Sequence, residues 1–396
     1  MPTGPLLATI AVQTLATMAL YSLPTLAPEV ARDLRVNGTL AGGFVAIAYG
    51  VGIVSALLSP GLIRRHGGVR ATQVVLLAAA AMLVTAAVSS GLPTLGFAAV
   101  LLGCGYGAAA PASTHLLVPH TPRNVFNMVM SIRQIGVPLG GVAAALSLPP
   151  LVPVFGWRGS LLLELIPILL LILLMELPRR HWDGDRDPTV RPFGRTLLQP
   201  FLLLADRRIR RLSVSCFIFS GLQLCFVSFT TVHLTTETGL DLVRAGQMLA
   251  AYQIAGSVSR PIWGWVADRY LTPIQTLGFL GAGMAVAAAM TAQYGRGWTP
   301  LEILSVSLVA GCTAGGYTGV AYAEYASLGG ARRTEATGLG TALMFSGGLL
   351  IPPLFGASVV GWGGFDGAYN VMAILALASG VLMAWPTVRN YGGAGN

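Results

Sequence analysis

The chain contains no lysine, and charge of either sign is scarce: 10% of its 396 residues are charged. A soluble domain carries about 25%. Cysteine is scarce too. Cys104, Cys216, Cys225 and Cys312 all lie in apolar stretches, without the spacing of a disulfide framework or a thiolate metal site, and read as small buried hydrophobes. No metal and no cofactor is expected. No cluster of His, Asp or Ser marks a membrane-embedded enzyme, and the sequence has neither a phosphate-binding loop nor a nucleic-acid motif. The N-terminus has no basic stretch, and its apolar segment is too long for a cleavable signal. That segment reads as a first spanning helix.

What is present is apolar. Hydrophobic residues make up 54% of the chain, and the mean hydropathy is +0.70. One bilayer crossing takes about 20 such residues, so twelve take about 240. The hydropathy pattern predicts spans at 5–28, 38–60, 71–90, 93–117, 124–148, 157–177, 210–234, 244–267, 271–293, 299–327, 335–360 and 366–386. The expected fold is an all-α polytopic membrane protein with two six-helix bundles, 1–177 and 210–396. The one long hydrophilic stretch, 178–209, joins them. A short amphipathic helix around Phe193–Leu204 is expected to lie on the membrane surface.

The net charge of +9 invites a nucleic-acid reading, which the distribution of arginine argues against. With the linker placed in the cytoplasm, 17 of the 24 arginines fall inside, 5 outside and 2 within spans. The positive-inside rule then puts both termini in the cytoplasm. The expected location is the cell inner membrane, and the expected partners are lipid and a small solute, with no nucleic acid. The chain is expected to act as a monomer. Trp157, Trp298 and Trp362 read as outer aromatic-belt residues, and His115 and His233 as interfacial.

The halves repeat each other. Gly103-Cys104-Gly105-Tyr106-Gly107 in the fourth span matches Gly311-Cys312-Thr313-Ala314-Gly315 in the tenth. Arg64-Arg65-His66-Gly67 follows the second span as Asp268-Arg269-Tyr270 follows the eighth. Gly136, Pro138, Gly140 and Gly141 in the fifth match Gly347, Gly348, Pro352 and Pro353 in the eleventh. Parallel six-helix repeats are a transporter architecture, with the site at the repeat interface near the midplane.

The two arginines inside spans are Arg133 and Arg260. A charged side chain at the centre of a bilayer costs at least about 2.5–3.5 kcal/mol and is ordinarily functional. Arg133 lies about 14 Å past Asn124 along a helix, and Arg260 about 12 Å before Asp268, too deep for easy escape to the surface. Residues three, four and seven apart share a helix face. Gln253, Gly256, Ser257 and Arg260 form one such stripe, with Gly256 leaving space for a carboxylate. Gln13, Thr17 and Tyr21 form a second. Ser213, Cys216, Ser220, Gln223 and Thr230 form a third, and Thr313, Tyr317 and Glu324 a fourth. On the fifth span, Met130, Arg133, Gly136, Val137 and Gly140 align. Packing of small residues between helices explains any one stripe, but together they point to a lined cavity. The guanidinium fork suits a carboxylate, donating two parallel hydrogen bonds. The expected anion ligands are Arg260 and Arg133, with Gln134, Gln253, Ser257, Gln13, Thr17, Tyr21, Tyr106, Gln223 and Tyr317 around them. Glu164 and Glu324 are the candidates for proton coupling, or for salt bridges to the arginines.

The chain resembles the major facilitator superfamily along nearly its whole length. Gly264-Trp265-Val266-Ala267-Asp268-Arg269 matches that family's Gly-x-x-x-Asp-Arg signature after the eighth helix. The first-half copy keeps Arg65, Gly67 and Arg70, with Pro60 in place of the glycine and Arg64 in place of the acid. By this resemblance Gly264, Asp268, Arg269, Arg65 and Gly67 belong to a charge relay that latches the outward-facing state. The stretch from Ser131 to Gly141 looks like the fifth helix of cyanate-transporter-like anion porters. Ser259-Arg260-Pro261-Ile262-Trp263-Gly264 looks like the eighth helix of monocarboxylate transporters and oxalate:formate exchangers, which makes Arg260 the carboxylate ligand. Those transporters carry a proton-coupling aspartate where this chain has Gly256. The resemblance therefore supports anion binding better than proton coupling, and implies a secondary transporter of a small organic anion, not an enzyme, working by alternating access, with protons or a counter-anion as candidate co-substrates. Gly136-x-Pro138 partly resembles the antiporter motif of drug exporters. Drug or metabolite efflux is the alternative, and it calls for an acidic cavity residue.

Overall fold

A computed structural model of the chain describes residues 3–35, 40–190, 199–362 and 364–384. It is helical throughout, with no strand among the described residues. In chain order the helices are α1 (Thr3–Thr25), α2 (Ala27–Leu34), α3 (Leu40–His66), α4 (Gly68–Ala87), α5 (Leu92–Tyr106), α6 (Ala109–Leu117), α7 (Phe126–Arg133), α8 (Gly136–Leu163), α9 (Leu165–Glu176) and α10 (Arg179–Trp182). After the linker come α11 (Arg207–His233), α12 (Leu242–Arg269), α13 (Pro273–Thr291), α14 (Pro300–Ala314), α15 (Thr318–Gly329), α16 (Arg333–Trp362) and α17 (Phe365–Ala384). Arg191, Arg195, Arg389 and the first part of the expected surface helix lie outside the described residues. The rest of that helix, Gln199–Ala205, is a 3₁₀ segment.

Nine helical runs among the described residues are long and apolar enough to cross a membrane. Two of them, Arg123–Glu176 with 54 residues and Pro300–Trp362 with 63, exceed by far the roughly 30 Å of one hydrocarbon core at about 1.5 Å per residue. The first bends at Gly156, whose φ of 66° interrupts α8. α12, which carries Gln247, Gln253, Ser257 and Arg260, is not among the nine. Large aliphatic side chains face outward, including Leu146, Leu173, Leu354 and Ile374. A surface of this kind is shed by water and suits lipid.

One apolar cluster draws on residues between Val12 and Met175. Another runs from Ile209 to Met383 and takes in Ala110. Across them, α3 packs on α16 and α7 on α12. The glycine motifs explain how helices approach within each half. A Cβ on Gly107 would meet the main-chain oxygen of Gly52 at 2.0 Å, and one on Gly311 the oxygen of Tyr252 at 2.2 Å. Both motifs also end a helix: α5 stops at Tyr106 and α14 at Ala314.

The local reading of Trp157 changes, and Cys104 is exposed rather than a small buried hydrophobe. Trp157 is buried, donating Nε1 to Asp33 at 3.2 Å, whereas Trp362 is exposed as a belt residue would be. His233 is fully buried and stacks on Phe365, with ring centroids 4.4 Å apart. His115 is also buried, with Nδ1 3.0 Å from the Thr334 hydroxyl.

Candidate functional site

The site starts from a proline. Pro138 has no N–H, so the carbonyl four residues earlier, on Gln134, loses its helical donor. The helix breaks there: α7 ends at Arg133 and α8 begins at Gly136. The freed Gln134 oxygen, which also accepts from the Val137 N–H at 3.2 Å, takes a hydrogen bond from Arg260 Nη1. Arg260 Nε donates to the oxygen of Gly315 at 2.9 Å, in the break between α14 and α15. Two carbonyls at helix breaks, one from each half of the chain, thus hold this guanidinium. Its Nη2 has no acceptor among the described residues.

Arg260 faces a cavity of about 570 Å³. Nine of the eleven expected ligands line it: Arg260, Gln134, Gln13, Tyr21, Tyr106, Gln223, Gln253, Ser257 and Tyr317. Arg133 and Thr17 do not. Thr17 sits behind, accepting from Gln13 Nε2 at 3.1 Å and sharing a 3.2 Å hydrogen bond with the Tyr106 hydroxyl. Arg133 is fully buried. It donates Nη2 to Gln134 Oε1, and its guanidinium carbon lies 5.5 Å from the centre of the Tyr322 ring. Its Nε and Nη1 are unpartnered. Neither arginine forms an ion pair among the described residues, so the salt-bridge reading fails. Glu164 accepts instead from the Ser22 hydroxyl at 2.5 Å. Glu324 is buried on α15 and, like Glu164, does not line the cavity.

Gly256 is a correction. It leaves no space for a carboxylate, since a Cβ there would meet the Gly311 oxygen and Gly315 Cα, each at 3.1 Å. It is where α12 presses against α14. The sequence reading also missed an aromatic wall. Tyr49 and Phe345, from opposite halves, stack with centroids 4.7 Å apart, and Tyr106 stacks on Phe345 at 5.8 Å. All three line the cavity, as does Tyr322. Aromatics in apolar runs carry no periodic signal; only the pairing of hydroxyl-bearing tyrosines with midplane depth could have marked them.

The residues expected to gate cluster at one end of the helices. Asp268 caps α7 from the other half: Oδ1 accepts from the Asn127 N–H at 3.0 Å and its Nδ2 at 2.8 Å, and Oδ2 from the Met128 N–H at 2.9 Å. Gly264 permits this, because a Cβ there would lie 2.6 Å from Met128 Cα. Arg269 is exposed. In the first half, where the acid is missing, the linker supplies one. Asp183 accepts from the Val69 and Arg70 N–H groups, at 2.8 and 3.3 Å, at the start of α4. Gly67, with φ of 95°, is the only residue type that fits beneath it, since a Cβ would fall 2.2 Å from Asp183 Cγ. Burial pushes the Asp183 carboxyl up, and the two N–H donors work against that. Arg65 donates to the linker oxygen of Val190 at 3.4 Å. Nearby, Arg64 pairs with Glu335 at 3.7 Å, and Asp185 lies 3.3 Å from His115 and 3.5 Å from Arg333. The His115 ring beside it, with Arg333 adding to the effect, holds the Asp185 carboxyl below its ordinary range. Among the described residues, no hydrogen bond or ion pair joins the two halves at the opposite helix ends.

Residues 9–352 match the family model described as Major Facilitator Superfamily. The chain belongs to that superfamily. Members similar to it include the 4-hydroxybenzoate transporter PcaK of Pseudomonas aeruginosa, 27% identical over 65% of this chain and 65% of that one. Monocarboxylate transporter 11 of Homo sapiens is 27% identical over 70% of this chain and 60% of its own length. The match thus spans less than two thirds of these curated relatives. The superfamily fold is shared with the E. coli fucose:proton symporter FucP, with a TM-score of 0.71, 14% identity, and coverage of 96% of this chain and 98% of that one. The human organic anion transporter MFSD10 gives 0.72, 16% identity, and coverage of 96% and 98%. As a superfamily member with many apolar helices, the chain is a multi-pass membrane protein.

Proposed function

We propose that the chain is a secondary transporter of a small organic monoanion, best suited by a carboxylate attached to an aromatic ring, with Arg260 as the carboxylate ligand. The observation that carries this reading is the setting of Arg260. It is a buried cation without an acidic partner among the described residues, anchored by two carbonyls, on the wall of a cavity that both halves line. A desolvated guanidinium without an anion is unfavourable, and a carboxylate on it is a strong charge-assisted pair. The Tyr49, Tyr106 and Phe345 wall offers flat faces to a ring. The similar proteins named for 4-hydroxybenzoate and monocarboxylates support the same class.

Twelve spans follow if Arg123–Glu176 and Pro300–Trp362 each cross twice and α12 crosses once. The two bundles, 1–177 and 210–396, then rock about the site, with linker 178–209 and both termini in the cytoplasm. The cross-half contacts of Asp268, Arg64 and His115 lie at the cytoplasmic end in that orientation, and the cavity extends to Thr25 and Ala145 toward the other end. The state is therefore outward-facing. Glu164 and Glu324 remain the proposed proton sites, acting through helix movement because neither reaches the cavity. The efflux alternative loses support, since no Asp or Glu lines the cavity among the described residues.

The test is uptake by purified protein in liposomes, with labelled benzoate, 4-hydroxybenzoate and short aliphatic carboxylates. It is run with and without a pH gradient and with internal counter-anion. Saturable uptake of aromatic carboxylates is expected. Saturation by cationic or neutral drugs alone would overturn the reading.

A further inference from the structure

Arg133 and Arg260 are bonded to the same residue but stand in different relation to the cavity. Arg260 reaches the main-chain oxygen of Gln134 and lines the cavity. Arg133 reaches the side-chain oxygen of Gln134, is fully buried and does not line it. The Gln134 side chain, on a residue that lines the cavity, is bonded to the second guanidinium.

We infer that Gln134 is a charge-selecting residue: its amide oxygen occupies Arg133 in place of a substrate carboxylate, so that the site offers one guanidinium in contact range and takes monoanions in preference to dianions. This rests on the anion-transport reading above and specifies it. The amide oxygen is neutral, so it satisfies one donor of Arg133 without cancelling the charge. The remaining donors, Nε and Nη1, stay buried and unpartnered, and no acid neutralises them among the described residues. A dianion placed with one carboxylate on Arg260 finds no second partner while the amide is in place. Were the amide removed, Arg133 would become that partner.

The geometry offers a clean variant. Gln134→Ala deletes the contact with Arg133 and leaves the main-chain oxygen that holds Arg260. The experiment uses the full chain in detergent, bound to labelled benzoate and competed with unlabelled benzoate or with terephthalate, the para-dicarboxylate. Wild type should prefer benzoate. Gln134→Ala should shift the terephthalate-to-benzoate affinity ratio toward the dianion by about tenfold or more, the scale of one added charge-assisted contact. Adding Arg133→Gln on that background should return the ratio. Gln134→Glu, of nearly the same shape, should move it the opposite way, because a carboxylate beside Arg133 repels two charges more than one. An unchanged ratio in Gln134→Ala or Gln134→Glu, or a gain that survives Arg133→Gln, would overturn the inference while leaving the transport reading intact. Benzoate binding indifferent to Arg260 would overturn both.

Discussion

Arg260 is tied to Gln134 across the interface between the halves, through a carbonyl that Pro138 leaves without its helical donor. The bond explains why an isolated helix break is tolerated in an apolar interior: the orphaned backbone acceptor has found a cation. Pro138→Ala restores an N–H that competes for that oxygen. Benzoate affinity should fall by about threefold to tenfold, the scale of one net hydrogen bond, with the unfolding midpoint unchanged or raised. Binding and thermal unfolding of the same preparation check this.

Asp268 receives two main-chain N–H groups at the start of α7. In Asp268→Asn the charge is lost and one oxygen becomes a donor that clashes with an N–H. Amide exchange in the 126–133 segment should accelerate by about 10- to 100-fold, matching about 1.5–3 kcal/mol for hydrogen bonds to a charged group. Hydrogen–deuterium exchange measures it. Unchanged protection would mean that Asp268 does not hold the halves together at this end.

Gly256→Ala separates packing from ligand space. The added methyl meets the Gly311 oxygen and Gly315 Cα at 3.1 Å. Overpacking of this kind costs about 1–3 kcal/mol, so the unfolding midpoint should drop. Benzoate affinity should drop with it, because Gly315 carries the carbonyl that holds Arg260. A lower affinity at unchanged stability would restore Gly256 to the cavity.

Asp185 gives a pH dependence with a definite sign. Its carboxyl is held below its ordinary value of 3.8, first by the neighbouring His115 ring. A depressed carboxylate contributes stability that is present above its unfolded value and lost as the pH falls through the folded one. The stability difference between wild type and Asp185→Asn should therefore persist as the pH falls into the ordinary carboxylate range and vanish only below it. Thermal unfolding of both proteins across that range measures this. A difference that vanished above the carboxylate range would show that the ion pair contributes through His115 alone.

Much of the architecture is legible in the sequence because hydropathy and helical periodicity are local. The stripe of Gln253, Ser257 and Arg260 does reach one cavity wall, and the two glycine motifs do mark close helix approaches. What the sequence hides depends on the third dimension. Arg133 and Gln134 are neighbours in sequence, and adjacent residues do not share a helix face. The Gln134 amide bonds Arg133 at the break before Gly136. The pairing of Tyr49 with Phe345 spans both halves, and nothing in either apolar run announces it. Asp183 and Asp185 belong to the hydrophilic linker stretch, yet they dock on α4 and α16 where the repeat lacks its own acid. Gly256 reads as space on a polar stripe because spacing alone cannot tell a cavity from a helix pressed against it.

The most direct test of the central claim compares labelled benzoate uptake into liposomes by wild type, Arg260→Lys and Arg260→Gln. A lysine keeps the charge but cannot bridge the Gln134 and Gly315 oxygens while presenting a fork to a carboxylate. The account predicts saturable uptake by wild type, a loss of about 10- to 100-fold in apparent affinity for Arg260→Lys, and no saturable uptake by Arg260→Gln. Benzoate uptake by Arg260→Gln equal to that of wild type would contradict it.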